Sequence, residues 1–133
     1  MTLATTLTPA TGLTLFERWT ALWNGDFSEP ESFLAPDFRV RFGSTPESSP
    51  DTDGLRGPAG MVDMIARHRA TYPGRRYALE GTPLVDPVLG RVASCWYVAR
   101  PDGTQKSGID LFEVVQGRIA TVWSVTGLRR FAP

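Results

Sequence analysis

The chain has 133 residues, with 14 Lys or Arg against 14 Asp or Glu, so its formal net charge is zero. That length makes one domain with room for a core that needs no staples. Its basic residues are scattered in short clusters such as Arg67/Arg69, Arg75/Arg76 and Arg129/Arg130, which argues against a nucleic-acid or anionic-membrane surface.

Residues Met1 to Gly12 are rich in Thr and Ala and read as a flexible leader, with the domain itself spanning 13–133. No basic region precedes an apolar run there, as a signal peptide would need, and no apolar run approaches membrane-spanning length. Leu15, Phe16, Trp19, Leu22 and Trp23 recur at helical spacing, which predicts a first helix over Leu13 to Trp23 that Asn24-Gly25 ends. Asp26 or Ser28 is expected to cap a short second helix carrying Phe33 and Leu34, stopped by Pro36.

Phe38-Arg39-Val40-Arg41-Phe42 alternates strictly and predicts a strand with one apolar and one cationic face. The polar segment 43–54 is read either as a lid over a cavity mouth or as a solvated connection. Gly57-Pro58 opens a further helix, Pro73-Gly74 ends it, and Met61, Met64, Ile65, His68 and Tyr72 form its stripe. A weaker strand over Arg76 to Glu80 precedes a Pro-punctuated link, Thr82 to Pro87.

Three consecutive antiparallel strands are predicted from Arg91 onward, separated by Pro101-Asp102-Gly103 and by Gln116-Gly117. A three-residue Pro-Asp-Gly loop sets Trp96 opposite Gly108, Ser94 opposite Asp110 and Val92 opposite Phe112. The same loop type over Val115-Gln116-Gly117 sets Asp110 opposite Val122 and Gly108 opposite Ser124. A two-residue Gln-Gly loop would instead bring Trp123 opposite Asp110. The first register is preferred because both hairpins then agree on the apolar face.

Helices gathered on one face of a curved antiparallel sheet make an α+β domain shaped as a cone with an apolar pocket. Trp19, Trp23, Phe42, Met61, Ile65 and Tyr72 are expected to line it, joined from the strands by Ser94, Trp96, Phe112 and Val122. Asp110 stands alone on that apolar face, and burial there would raise its pKa. It would act as general base, or stay protonated and donate to an oxyanion; the plainer reading is a structural Asp bonded to Ser94 or Ser124. His68 is either a core residue or the partner that reaches Asp110 to form an acid/base pair, with Ser124 assisting. The lone Cys95 points to the other side of the sheet as a structural thiol, and with one Cys and one His no zinc spacing exists.

The stretch GPAGMVDMIARHRATYPG, followed by strands ending in GIDLFEVVQGRIATVWSV, resembles the SnoaL-like branch of the nuclear transport factor 2-like superfamily, from about Leu13 to Thr126. Asn24-Gly25-Asp26, the Gly-Pro helix start, Tyr72-Pro73 and the Asp-x-Phe…Gly-Arg-Ile…Trp pattern carry the resemblance. It implies a cystatin-like cone and a range of activities that includes polyketide cyclases, ketosteroid isomerases and dehydratases, beside non-catalytic binders. In SnoaL-like cyclases a His and a basic Asp flank the last strand's Trp; here those positions are Val122 and Ser124. In ketosteroid isomerases an oxyanion-binding acid matches Asp110, whereas their base and Tyr fall near Phe42 and Trp19.

The combined expectation is a cytoplasmic acid/base enzyme of isomerase, dehydratase or cyclase type, needing no cofactor or metal, on an apolar carbonyl or polyketide-like compound. The rival is a non-catalytic module that holds a hydrophobic small molecule or a partner protein. The resemblance also implies a homodimer through the outer sheet face, where Tyr97, Ile109, Leu111, Ile119, Trp123 and Val125 would form an apolar patch.

Overall fold

The computed structural model describes residues 6–44 and 50–132. The elements are α1 (Pro9–Trp23), a 3-10 turn (Pro30–Ser32), β1 (Leu34–Phe42), α2 (Pro50–Asp53), α3 (Gly57–Thr71), β2 (Arg76–Asp86), β3 (Arg91–Ala99), β4 (Gln105–Val115) and β5 (Arg118–Thr126). The strands form one five-stranded sheet in the order β1-β5-β4-β3-β2. The helices pack on its concave face, so the α+β cone stands. The sheet is mixed rather than antiparallel throughout, because β1 runs parallel to β5.

Helix α1 begins before Leu13. Thr8 caps it, its hydroxyl accepting from the Thr11 amide at 3.1 Å while the Thr11 hydroxyl accepts from the Thr8 amide at 2.7 Å. Pro9 sits in the first turn, where its missing N–H costs nothing. The leader expected over residues 1–12 is therefore helical from Pro9 onward, and 1–5 lie outside the described residues. At the other end, the Asn24 side chain accepts from the Tyr77 amide at 2.7 Å and donates to the Tyr77 carbonyl at 2.9 Å, tying α1 to β2. The apolar stripe of α1 buries Leu15, Phe16, Trp19 and Leu22, and Phe16 stacks on Phe112 of β4 with ring centroids 3.9 Å apart.

The expected second helix is replaced by a single 3-10 turn, and Leu34 already belongs to β1. Asp26 caps nothing: its carboxylate accepts from the Ser28 amide at 3.1 Å in a local turn. Pro36 is accommodated at an exposed position of β1, an edge strand that can lose a donor there. Strand β2 runs on through the expected link to Asp86, taking up Gly81 and Pro83 in an irregularity between Glu80 and Leu84. Of segment 43–54, residues 45–49 lie outside the described residues, and the remainder includes the short α2.

The β3–β4 register is the predicted one, with Ser94↔Asp110, Trp96↔Gly108 and Val92↔Phe112. The β4–β5 register is not. Gln116 and Gly117 both take positive φ, 51° and 79°, and make a two-residue turn closed by Val115↔Arg118. A bulge at Ala120 then inserts one residue, so Asp110 faces Ser124 rather than Val122 or Trp123. The turn and the bulge each shift the pairing by one. Their sum preserves parity, which is why the inward face still carries Asp110, Phe112, Val122 and Ser124.

The same bulge turns Ile119 inward, where it is fully buried, and removes it from the expected outer patch. Two further members of that patch are covered. Arg91 lies over Trp123, and Arg130 lies 3.7 Å from the Tyr97 ring centroid. Arg130 belongs to a C-terminal strap anchored on β2 and β4: it pairs with Glu80 at 3.0 Å, and the buried Ser107 hydroxyl donates to Glu80 at 2.6 Å. Ile109 and Val125, register partners on adjacent strands, remain 41% and 49% exposed. No described helix is long and apolar enough to cross a membrane.

Candidate active site

The sheet's inner face is a set of rows. Ser94, Asp110, Ser124 and Phe42 lie side by side across β3, β4, β5 and β1. The next row is Leu79, Trp96, Gly108 and Thr126, and the one after it Tyr77, Val98 and Lys106. Between these rows and the helices is a cavity of about 350 Å³, the size expected for a small-molecule site. Phe16, Trp19, Trp23, Phe42, Met64 and Trp96 give it apolar walls, and Asp110, His68, Tyr77, Ser124, Arg75 and Lys106 are its main polar groups.

Asp110 is 4% exposed, and its two carboxyl oxygens are separately engaged. Trp19 of α1 donates its indole N–H to one at 2.8 Å, and Trp96 of β3 donates to the other at 2.9 Å. Neither donor can accept a proton or rotate away without moving a packed ring, so the carboxyl plane is fixed. Burial raises the Asp110 pKa, while the Ser124 hydroxyl opposite and the two indoles oppose that rise. Among the described residues no cation pairs with the group.

The expected pairing of His68 with Asp110 does not form. His68 Nε2 lies 3.5 Å from the Tyr77 hydroxyl, and its ring packs edge-on against Trp23. Tyr77 in turn packs against Trp96, so two aromatic residues separate the imidazole from the carboxyl. Desolvation lowers the His68 pKa, reinforced by Arg75, Lys106 and Arg69, which makes it a neutral imidazole at neutral pH.

Several expected lining residues are elsewhere. Met61, Ile65, Phe112 and Val122 are fully buried beneath the cavity floor as core, since α3 and the sheet close on one another there. Ser94 is buried and its hydroxyl donates to the Cys95 carbonyl at 3.0 Å. Tyr72, at the C-cap of α3, is 49% exposed with Arg75 against its ring. Trp19, Trp23, Phe42, Trp96, Asp110, His68 and Ser124 do line the cavity. Thr20, Arg75, Lys106 and Thr126 line it without having been foreseen. For Lys106 the signal was present, because it shares the parity of Gly108 and Asp110 on β4. Among the described residues no group of His, Cys, Asp and Glu is arranged to hold a metal ion.

The profile of the SnoaL-like domain family matches residues 16–122. No curated protein sequence matches the chain. A SnoaL-like family protein from Agrobacterium tumefaciens, provisionally named an isomerase, superposes with a TM-score of 0.74 at 24% identity, covering 90% of this chain and 99% of that one. A protein of cystatin-like fold and unknown function from Methylobium petroleophilum gives a TM-score of 0.74 at 14% identity, over 96% of this chain and 83% of its own. A SnoaL-like polyketide cyclase from Agrobacterium tumefaciens gives 0.64 at 18% identity, over 85% and 88%. At such identities these likenesses establish the fold.

Proposed function

The chain belongs to the SnoaL-like family, and on that premise we propose that it is a cofactor-independent acid/base enzyme that moves a proton on an apolar carbonyl compound, in an isomerisation, dehydration or cyclisation. The observation that carries this reading is Asp110, a desolvated carboxyl at the wall of a cavity otherwise lined by aromatic rings. A carboxylate offers about four acceptor positions. The indoles of Trp19 and Trp96 take two, leaving positions for the Ser124 hydroxyl and for a substrate proton. Burial that raises the pKa makes the group a stronger base than an exposed Asp, and the two fixed donors hold it ready without reorganisation.

In this reading Asp110 is the base, Ser124 positions it, and Trp19 and Trp96 stabilise its carboxylate form. Neutral His68 with the Tyr77 hydroxyl forms a separate donor pair that faces the same cavity. We place the protein in the cytoplasm, in keeping with the unpaired Cys95. Contact between the exposed Ile109 and Val125 of two copies would make the homodimer.

The test is hydrogen exchange. A panel of apolar cyclic ketones is incubated in D₂O with the protein, and loss of the α-proton signal is followed by NMR. Wild type is expected to exchange at least one of them faster than buffer, and Asp110→Asn to lose about 10²–10⁴-fold of that rate. Because both carboxyl oxygens already hold indoles, a binding-only role is the second reading. It wins if ketones bind, by tryptophan quenching, and no variant changes their exchange.

A further inference from the structure

The cavity is polar at one end in a way that acid/base chemistry at Asp110 does not use. Lys106 lies four residues from Asp110 on the same face of β4, about 13 Å along the strand at roughly 3.3 Å per residue. Arg75, which also lines the cavity, immediately precedes Arg76 of the Arg76↔Ala99 pair, and Arg100 immediately follows Ala99. Arg100 closes the β3–β4 turn, and its Nε is buried without a hydrogen-bond partner. Two cations, Arg75 and Lys106, thus line this end of the cavity, with Arg100 close enough to act on Lys106, in a chain whose formal net charge is zero.

Among the described residues none of the three pairs with a carboxylate, and Arg75 lies over the Tyr72 ring, 4.4 Å from its centroid. The ion pairs among the described residues are Arg67–Asp63, Arg91–Glu113 and Arg130–Glu80, none of them here. Asp102, in the turn, feels Arg100, but its carboxylate accepts from the Thr104 amide and hydroxyl. Arg69, nearby, is engaged by the carbonyls of Trp23 and Arg75. Desolvation lowers the Lys106 pKa first, and Arg100 and Arg75 lower it further. Assembling like charges in a half-buried mouth is unfavourable unless something anionic enters it.

We propose that Arg75 and Lys106, backed by Arg100, form an anion subsite, so that the ligand is an apolar body with one acidic group, its acid held at this end and its reacting carbon over Asp110. This rests on the reading of the cavity as a substrate site and narrows the substrate to amphipathic monoanions. The apolar side chains between the two ends, Trp23, Trp96 and Val98, would cover the body of such a molecule.

Two probes with one body test it: anilinonaphthalene sulfonate, which is anionic, and N-phenyl-1-naphthylamine, which is neutral. Both are titrated by fluorescence into wild type and into Lys106→Gln and Arg75→Gln. Wild type is expected to prefer the sulfonate by about tenfold or more, as a charge-assisted contact warrants. Each variant should reduce that preference, and added salt should weaken it, while affinity for the amine stays unchanged. Equal affinity of wild type for both probes, or a preference indifferent to both variants, overturns the subsite and leaves the apolar cavity standing. Failure of both probes to bind overturns the subsite together with the reading of the cavity.

Discussion

The indole of Trp96 lies across the bare Cα of Gly108, its partner on the next strand, and in that pose its N–H reaches Asp110 at 2.9 Å. A Cβ at Gly108 would overlap the indole and stand 2.6 Å from the Val125 carbonyl. The strand thus lacks a side chain at the one place where a ring must cross it to hold the carboxyl. This is close approach rather than backbone freedom, since Gly108 is not among the residues of positive φ.

Gly108→Ala is therefore expected to destabilise the fold by about 1–3 kcal/mol, the usual cost of overpacking. It should also shift Trp96 emission as the N–H leaves Asp110. Urea denaturation and fluorescence check both, and an alanine tolerated with unchanged emission would contradict the packing described.

Asp110 gives stability a particular pH dependence. Its folded pKa is raised above the ordinary 3.8, so the folded state keeps the proton to higher pH than the unfolded chain. The stabilisation it contributes is complete below 3.8 and is lost as pH rises through the raised value. Asp110→Asn removes this dependence and turns an amide donor towards one indole N–H, a cost of about 1–3 kcal/mol. The deficit of the variant is expected to be largest in acid and to shrink towards alkaline pH. A deficit that grows with pH would mean that the fold favours the carboxylate. Comparing the two proteins cancels Asp26, Glu80 and Asp102, whose lowered pKa values act in the opposite sense.

His68 should titrate below its ordinary 6.5. Its C2–H resonance followed by NMR is expected to move to higher pKa in Arg75→Gln and in Lys106→Gln, because each variant removes a repelling charge. Asp110→Asn should leave it nearly unchanged, since Tyr77 and Trp96 intervene. A large change in that variant would restore the direct pair that the geometry lacks.

Self-association should depend on the exposed pair Ile109 and Val125. We expect a dimer in sedimentation at tens of micromolar that Val125→Glu converts to monomer without loss of fold, because charge at the centre of a small apolar contact is not tolerated. A wild-type monomer at that concentration would refute it.

Local periodicity carried most of the architecture. The stripes of α1 and α3, the alternation in β1 and the Pro-Asp-Gly turn depend on neighbours within a few residues, and so could be read directly. The register at Ser94, Trp96, Gly108 and Asp110 followed from turn chemistry alone. What failed was of another kind. Pro36 became part of a strand because β1 occupies a sheet edge, and no local signal says which strand is an edge. The β4–β5 pairing depended on a bulge at Ala120, which no local signal in the chain marks.

The sequence by itself determined that an acidic side chain would stand on the apolar face of a curved sheet, because side-chain direction along a strand has a period of two and survives even-numbered errors of register. Only the tertiary structure decided what surrounds it: two indoles from α1 and β3 on its oxygens, His68 kept apart behind Tyr77, and cations gathered at the far end of the cavity. Those are contacts between residues as much as 91 positions apart in the chain, set by how helix and sheet close together.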